Sequence, residues 1–236
     1  MPDIDPQQTL ARLVTELPGS ARIFERWGID YCCHGQRALQ AACADLNVDT
    51  RSVIAELDAL GEPSPEEWAT MAPDELTEHI VCVHHDYLRE ELPRLIALAE
   101  KVHSVHGGRH GELAEVAALV RMTEADLTPH MQREELVVFP AIRQMSTNPD
   151  FQPKFGNFDG PLSVLMAEHD NQGRLLDRLS EITADYTPPA DGCASYAALY
   201  DGLRQLDQDT RLHVHKENNI LFPAVKEMEA AVAVSS

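Results

Sequence analysis

Positive charge, aromatic side chains and long apolar runs are all scarce in this sequence. Basic residues number 19 against 39 acidic ones, a formal net charge of −20. So negative a surface repels phosphate, which argues against nucleic acid and anionic membrane as partners. Aromatic residues make up 6% and hydrophobic residues 44% of the 236 positions, a balance that suits a helical protein better than an aromatic-rich sandwich. No apolar run approaches about 18 residues, so the sequence predicts no membrane span. The opening stretch MPDIDPQQTLARLVTEL has no basic segment leading into an apolar one, and no signal peptide is expected. Cysteine is limited to Cys32, Cys33, Cys43, Cys82 and Cys193, without a framework spacing. That usage fits a reducing cytoplasm, and the expected location is cytoplasmic.

Strand-like alternation does not persist anywhere, and Pro and Gly divide what remains into helical stretches. Residues 1–62 read as a small module of short amphipathic helices carrying the Cys-Cys pair, with Ser20 placed to cap the second and Gly28 to end it. Residues 63–72 form a linker, 73–230 the main domain and 231–236 a tail. Within the main domain four longer helices are predicted, from Pro73 to Val105, Gly111 to Met145, Pro161 to Asp185 and Ser195 to Ala230. Long helices with short connections imply an all-α fold: an antiparallel four-helix bundle preceded by a small helical domain.

The main domain repeats itself. Asp126 to Ile142, DLTPHMQREELVVFPAI, is echoed by Asp209 to Val225, DTRLHVHKENNILFPAV, and both read D-x-x-x-H-x-x-x-E-x-x-x-x-F-P-A. The offset is 83 residues, from 126 to 209, and a His-Asp pair precedes each copy, at His85-Asp86 and His169-Asp170. Residues at i and i+4 share one helix face. His130 with Glu134, and His213 with Glu217, therefore each present an imidazole and a carboxylate in one direction. A lone H-x-x-x-E on a helix is ordinarily an exposed polar pair, but two copies in equivalent places point to a metal centre. His85 and His169 complete a set of four histidines and two glutamates. Without a cation, burying such carboxylates is costly.

The donor types narrow the metal. Four imidazoles are too many for calcium or magnesium, and no cysteine is available there for an iron–sulfur cluster. Iron, manganese and zinc remain. Two equivalent halves suggest two ions bridged by Glu134 and Glu217, with positions left for a solvent bridge and a small molecule. Asp126, Asp209, Glu168 and His84 are candidates for supporting the ligands from behind. His215 is expected to point away into solvent, and His103, His106 and His110 to be solvated loop residues. The Phe-Pro steps are expected to mark a kink or a helix end.

These residues resemble the di-iron iron–sulfur cluster repair proteins, a hemerythrin-like family with an N-terminal module carrying YCC. The similarity runs through DYCCHG, HHD, HMQREELVVFP, EHD and HKENNILFPA. It implies two non-haem iron ions with a solvent-derived oxygen bridge, held by His85, His130, Glu134, His169, His213 and Glu217. It further implies repair of clusters damaged by nitric oxide or oxidants, damaged iron–sulfur proteins as partners, and a homodimer in the bacterial cytoplasm. Two other readings stay open, a di-iron enzyme that reduces nitric oxide and a module that binds or senses oxygen or nitric oxide. His34 stands where some relatives have glycine.

The adjacent thiols of Cys32 and Cys33 are poorly placed to bond each other, since neighbouring Cα atoms lie about 3.8 Å apart, short of the usual disulfide range. On a helix they would also diverge, which hinders chelation of one ion. They are a candidate thiol site if His34 or a helix N-terminus lowers a thiol pKa. Otherwise they are two small buried hydrophobes.

Overall fold

The computed structural model describes residues 4–17, 19–61, 66–148 and 151–235. The start of the expected linker and the last residue of the tail lie outside these. The chain divides into two compact units: one comprises Met1–Glu78, Ile142–Phe158 and Arg211–Ser236, the other His79–Ala141 and Asp159–Thr210.

The first unit opens with four short helices, α1 (Leu10–Glu16), α2 (Ser20–Arg26), α3 (Leu39–Asp45) and α4 (Thr50–Asp58). Thr9 caps α1, its hydroxyl accepting from the Arg12 amide at 3.3 Å, and Asp49 caps α4. Ser20 is not a cap, contrary to expectation. It is the first residue of α2 behind Gly19, and its hydroxyl donates to the Leu13 carbonyl at 3.1 Å. Gly28 does end that helix: at φ +66° it closes a double turn in which Gly28 donates to Glu25 and Ile29 to Phe24. Leu10, Leu13, Phe24, Leu39, Val53 and Leu57 form the core, which also takes in Tyr31, Cys32 and Val214.

The second unit holds most of the long helices. α5 (Pro73–Ile80) lies mainly in the first unit and runs through a π-helical turn, Val81–His85, into α6 (Asp86–His106). α7 (Glu112–Arg133) continues through a second π turn, Glu134–Val138, into α8 (Phe139–Thr147). α9 (Asp159–Ile182) is uninterrupted, and α10 (Ala194–Lys216) passes through a third π turn, Glu217–Leu221, into α11 (Phe222–Ser235). Leu88, Leu95, Val116, Val120, Leu176 and Leu203 belong to one core fed by α6, α7, α9 and α10, the expected four-helix arrangement. Gly202 permits a close approach there, because a Cβ would sit 2.7 Å from Cδ2 of Leu95. No helix among the described residues is long and apolar enough to cross a membrane.

The Phe-Pro steps are not helix ends. Pro140 and Pro223 each follow a π turn, closed by Phe139 donating to the Glu134 carbonyl and Phe222 donating to that of Glu217. Proline offers no N–H and crowds the carbonyl four residues back. A turn wound one residue wider is how the chain continues as helix through both steps.

Candidate metal centre

All three π turns sit at expected ligands: Val81–His85 ends on His85, and the other two begin on Glu134 and Glu217. Such turns re-aim side chains and concentrate at functional sites. In the second unit His85, His130, Glu134 and His169 are all buried, Glu134 completely. Nε2 of His85 lies 3.3 Å from Oε2 of Glu134, and Nε2 of His130 lies 3.2 Å from Oε1. The Nε2 atoms of His130 and His169 approach to 3.1 Å. The ligand atoms of His130, Glu134 and His169 thus fall within 4.8 Å of one another, a group able to hold a metal ion. In the first unit the second copy of the motif behaves alike: His213 and Glu217 are buried, with Nε2 3.2 Å from Oε1.

The protons are held on the far side of the rings. Nδ1 of His85 lies 2.6 Å from Glu135 and Nδ1 of His130 lies 2.8 Å from Glu168. Arg89 pairs with Glu135, and Arg133 with Glu168. Burial alone would raise both carboxyl pKa values. The hydrogen bonds from His85 and Arg89 to Glu135, and from Arg133 and His130 to Glu168, outweigh it and hold both carboxylates below their usual range. An ionised carboxylate only accepts, so each Nδ1 donates, and in the neutral ring Nε2 then carries the lone pair a cation needs. Inward imidazole nitrogens beside a fully buried carboxylate are donor chemistry that suits non-haem iron.

The supporting residues differ in part from those expected. Glu168, one of the expected supports, lies against Nδ1 of His130. Glu135 was not anticipated, although the Glu134-Glu135 doublet carries it. Asp126 is exposed and accepts from Asn171 at 2.7 Å, so it does not brace His130. Asn171 of α9 takes the Asp126 carboxylate instead. Asp209 lies 2.8 Å from Nδ1 of His84 instead, and His84 is buried. His215 also reverses its expectation: it is fully buried, with its ring edge-on to Tyr31 and Trp68. His106 is buried too, its Nε2 lying 3.2 Å from Sγ of Cys193, and His110 contacts Asp191 at 3.0 Å.

The Cys32-Cys33 pair lies in a bend between α2 and α3, not on a helix, and its thiols converge. The two Sγ atoms are 3.7 Å apart, and with a carboxylate oxygen of Asp30 they lie within 4.8 Å. Cys32 is buried and Cys33 half-buried. His34 does not activate Cys32, because its Nδ1 engages Asp30 at 2.6 Å. The hydrogen bond with Cys33, burial and the nearby Asp30 charge push the Cys32 thiol pKa well up.

Fold and donor set together define a helical-bundle metal protein joined to a thiol-bearing helical module. The family profile described as the hemerythrin HHE cation binding domain matches residues 76–225, and a domain of unknown function, DUF542, matches residues 6–61. The chain is 36% identical over 217 residues to the iron-sulfur cluster repair protein YtfE of Enterobacter sp. (strain 638), covering 92% of this chain and 95% of the relative. A probable iron-sulfur cluster repair protein of Haemophilus influenzae is 35% identical over 226 residues, covering 93% and 96%. The YtfE protein of Escherichia coli O8 (strain IAI1) is 34% identical over 217 residues, covering 92% and 95%. The chain belongs to the hemerythrin-like iron–sulfur cluster repair protein family.

Proposed function

We propose that this protein repairs iron–sulfur clusters damaged by nitrosative or oxidative stress, supplying iron from a di-iron centre held by His85, His130, Glu134, His169, His213 and Glu217. The observation that carries the reading is the pair of Nδ1–carboxylate bonds, which leave the Nε2 lone pairs of His85 and His130 inward beside buried Glu134. The duplicated motif supports an equal role for His213 and Glu217, and their two carboxylates suit bridging with a solvent-derived oxygen completing the pair. Bound ferrous iron supplies an exchangeable ion, an electron donor and a position for nitric oxide or oxygen. Glu134 and Glu217 contribute negative charge, while Glu135 and Glu168 hold the Nδ1 protons. Cys32 and Cys33, close enough to share a soft metal, are the groups offered to a damaged iron–sulfur client. The proposed division is a Cys-Cys module over 1–62 and a di-iron bundle over 73–230, acting in the cytoplasm as a homodimer.

Metal analysis with Mössbauer spectroscopy on freshly purified protein is expected to find two irons per chain; one zinc would overturn the centre. Iron-loaded protein is expected to restore a nitric oxide-damaged cluster enzyme better than the same concentration of free ferrous iron. No advantage over free iron would overturn repair.

A further inference from the structure

The turn that carries Glu217 also holds the Cys32-Cys33 loop, and both belong to the first unit. Nδ2 of Asn219 donates to the Cys32 carbonyl at 2.9 Å and lies 3.4 Å from the Tyr31 carbonyl. Its Oδ1 accepts from Nε2 of Gln36 at 3.2 Å, and Asn218 reaches the Cys32 carbonyl at 3.4 Å. Gly35 makes the approach possible: a Cβ there would stand 2.5 Å from both Oδ1 of Asn219 and the Tyr31 carbonyl. One asparagine thus ties down both flanks of the two thiols. Its position in the chain matters, because Asn219 is the middle residue of the π turn Glu217–Leu221.

We infer that Asn219 is a positioning residue that couples the Cys32-Cys33 loop to metal at His213 and Glu217, holding the loop while iron is bound and freeing it as iron leaves. The inference rests on the ligand role proposed above for those two residues. A bound ion fixes Glu217 and, through it, a turn one residue wider than the α-helix around it. When the ion departs, the completely buried Glu217 gives up its bond to the metal, and the turn it begins gains access to other conformations. Asn219 donates from within that turn, so its bonds to the loop loosen with it, and half-buried Cys33 becomes more accessible. Linkage is reciprocal, so a loop that cannot be held must weaken iron binding by the same factor by which iron shields the loop. For a protein that delivers iron, thiols would then be presented to the client as the ion is given up.

The test uses the full chain as wild type, Asn219→Leu and Gly35→Ala, each metal-free and loaded anaerobically with ferrous iron. Leucine keeps the branching and heavy-atom count of asparagine but makes no hydrogen bond, and Gly35→Ala disturbs the same contact from the loop side. Iron per chain is measured first, then the alkylation rate of Cys33 by mass spectrometry and the rate of iron transfer to a ferrous chelator. In wild type, iron is expected to slow alkylation about fivefold or more, the low end of common couplings. In both variants the loaded and metal-free alkylation rates are expected to converge and iron transfer to quicken. Equal alkylation of loaded and metal-free wild type, with iron demonstrably bound, would overturn the coupling while leaving the iron centre standing. Wild-type coupling retained in both variants would overturn the role of Asn219. Failure to bind iron at all would overturn both the coupling and the function on which it rests.

Discussion

Nδ1 of His130 lies 2.8 Å from a carboxylate oxygen of Glu168, which is itself paired with Arg133. His130 and Glu168 sit on different long helices, α7 and α9, so helix packing sets which face of the imidazole is available to a metal. The same relation recurs between His85 and Glu135, with Arg89 behind.

Removing either carboxylate should therefore weaken iron binding without removing a ligand. Glu168→Ala and Glu135→Ala are each expected to lower ferrous affinity by about 10–100-fold, the usual cost of losing a partner that orients a ligating histidine. Chelator competition measures this. Affinity unchanged in both variants would contradict the tautomer assigned to His85 and His130.

The proposed bridges should matter more. Glu134→Leu or Glu217→Leu is expected to reduce iron below two per chain and to change the Mössbauer spectrum. His215→Ala should keep its iron while losing stability, because that ring packs on Tyr31 and Trp68. Identical iron content and spectra in all three variants would contradict the ligand assignment.

His215 also predicts a pH dependence of the metal-free protein. Burial, aided by Lys216 and opposed by a hydrogen bond with the Tyr31 backbone, lowers its pKa from 6.5 to about 4. The folded chain therefore keeps the ring neutral where the unfolded chain already protonates it. Its contribution is fully present above pH 6.5 and is lost as pH falls toward 4, reaching about 3 kcal/mol. Denaturant unfolding at pH 7 and pH 4.5 should show a smaller loss in His215→Phe than in wild type. Equal losses would refute the assignment.

Packing in the bundle core gives a further test at Gly202. An added Cβ would press on buried Leu95, 2.7 Å away. Gly202→Val is expected to destabilise by about 1–3 kcal/mol, as overpacked cores do. That outweighs the few tenths of a kcal/mol that valine gains over glycine in helix propensity. A raised midpoint in thermal unfolding would show that α6 and α10 have room to separate.

Local periodicity was enough to read the helices, the repeat and the i, i+4 pairing of His130 with Glu134 and His213 with Glu217, because a helix alone sets those directions. The repeat register placed Glu168 among four candidate supports. What stands behind a ring was decided by packing: Glu135 reaches His85 from another helix, while Asp126, in the more conspicuous repeat position, leans out to Asn171. The burial of His215 was equally invisible, since its neighbours Tyr31 and Trp68 are far away in the chain. At Cys32-Cys33 the sequence set two thiols side by side, but a helix and a bend give them opposite relations. The observed bend brings the sulfurs together and lets Asn219 hold the loop. Spacing along one chain segment determines which groups share a face; only the close approach of distant segments determines which atoms they present and to what.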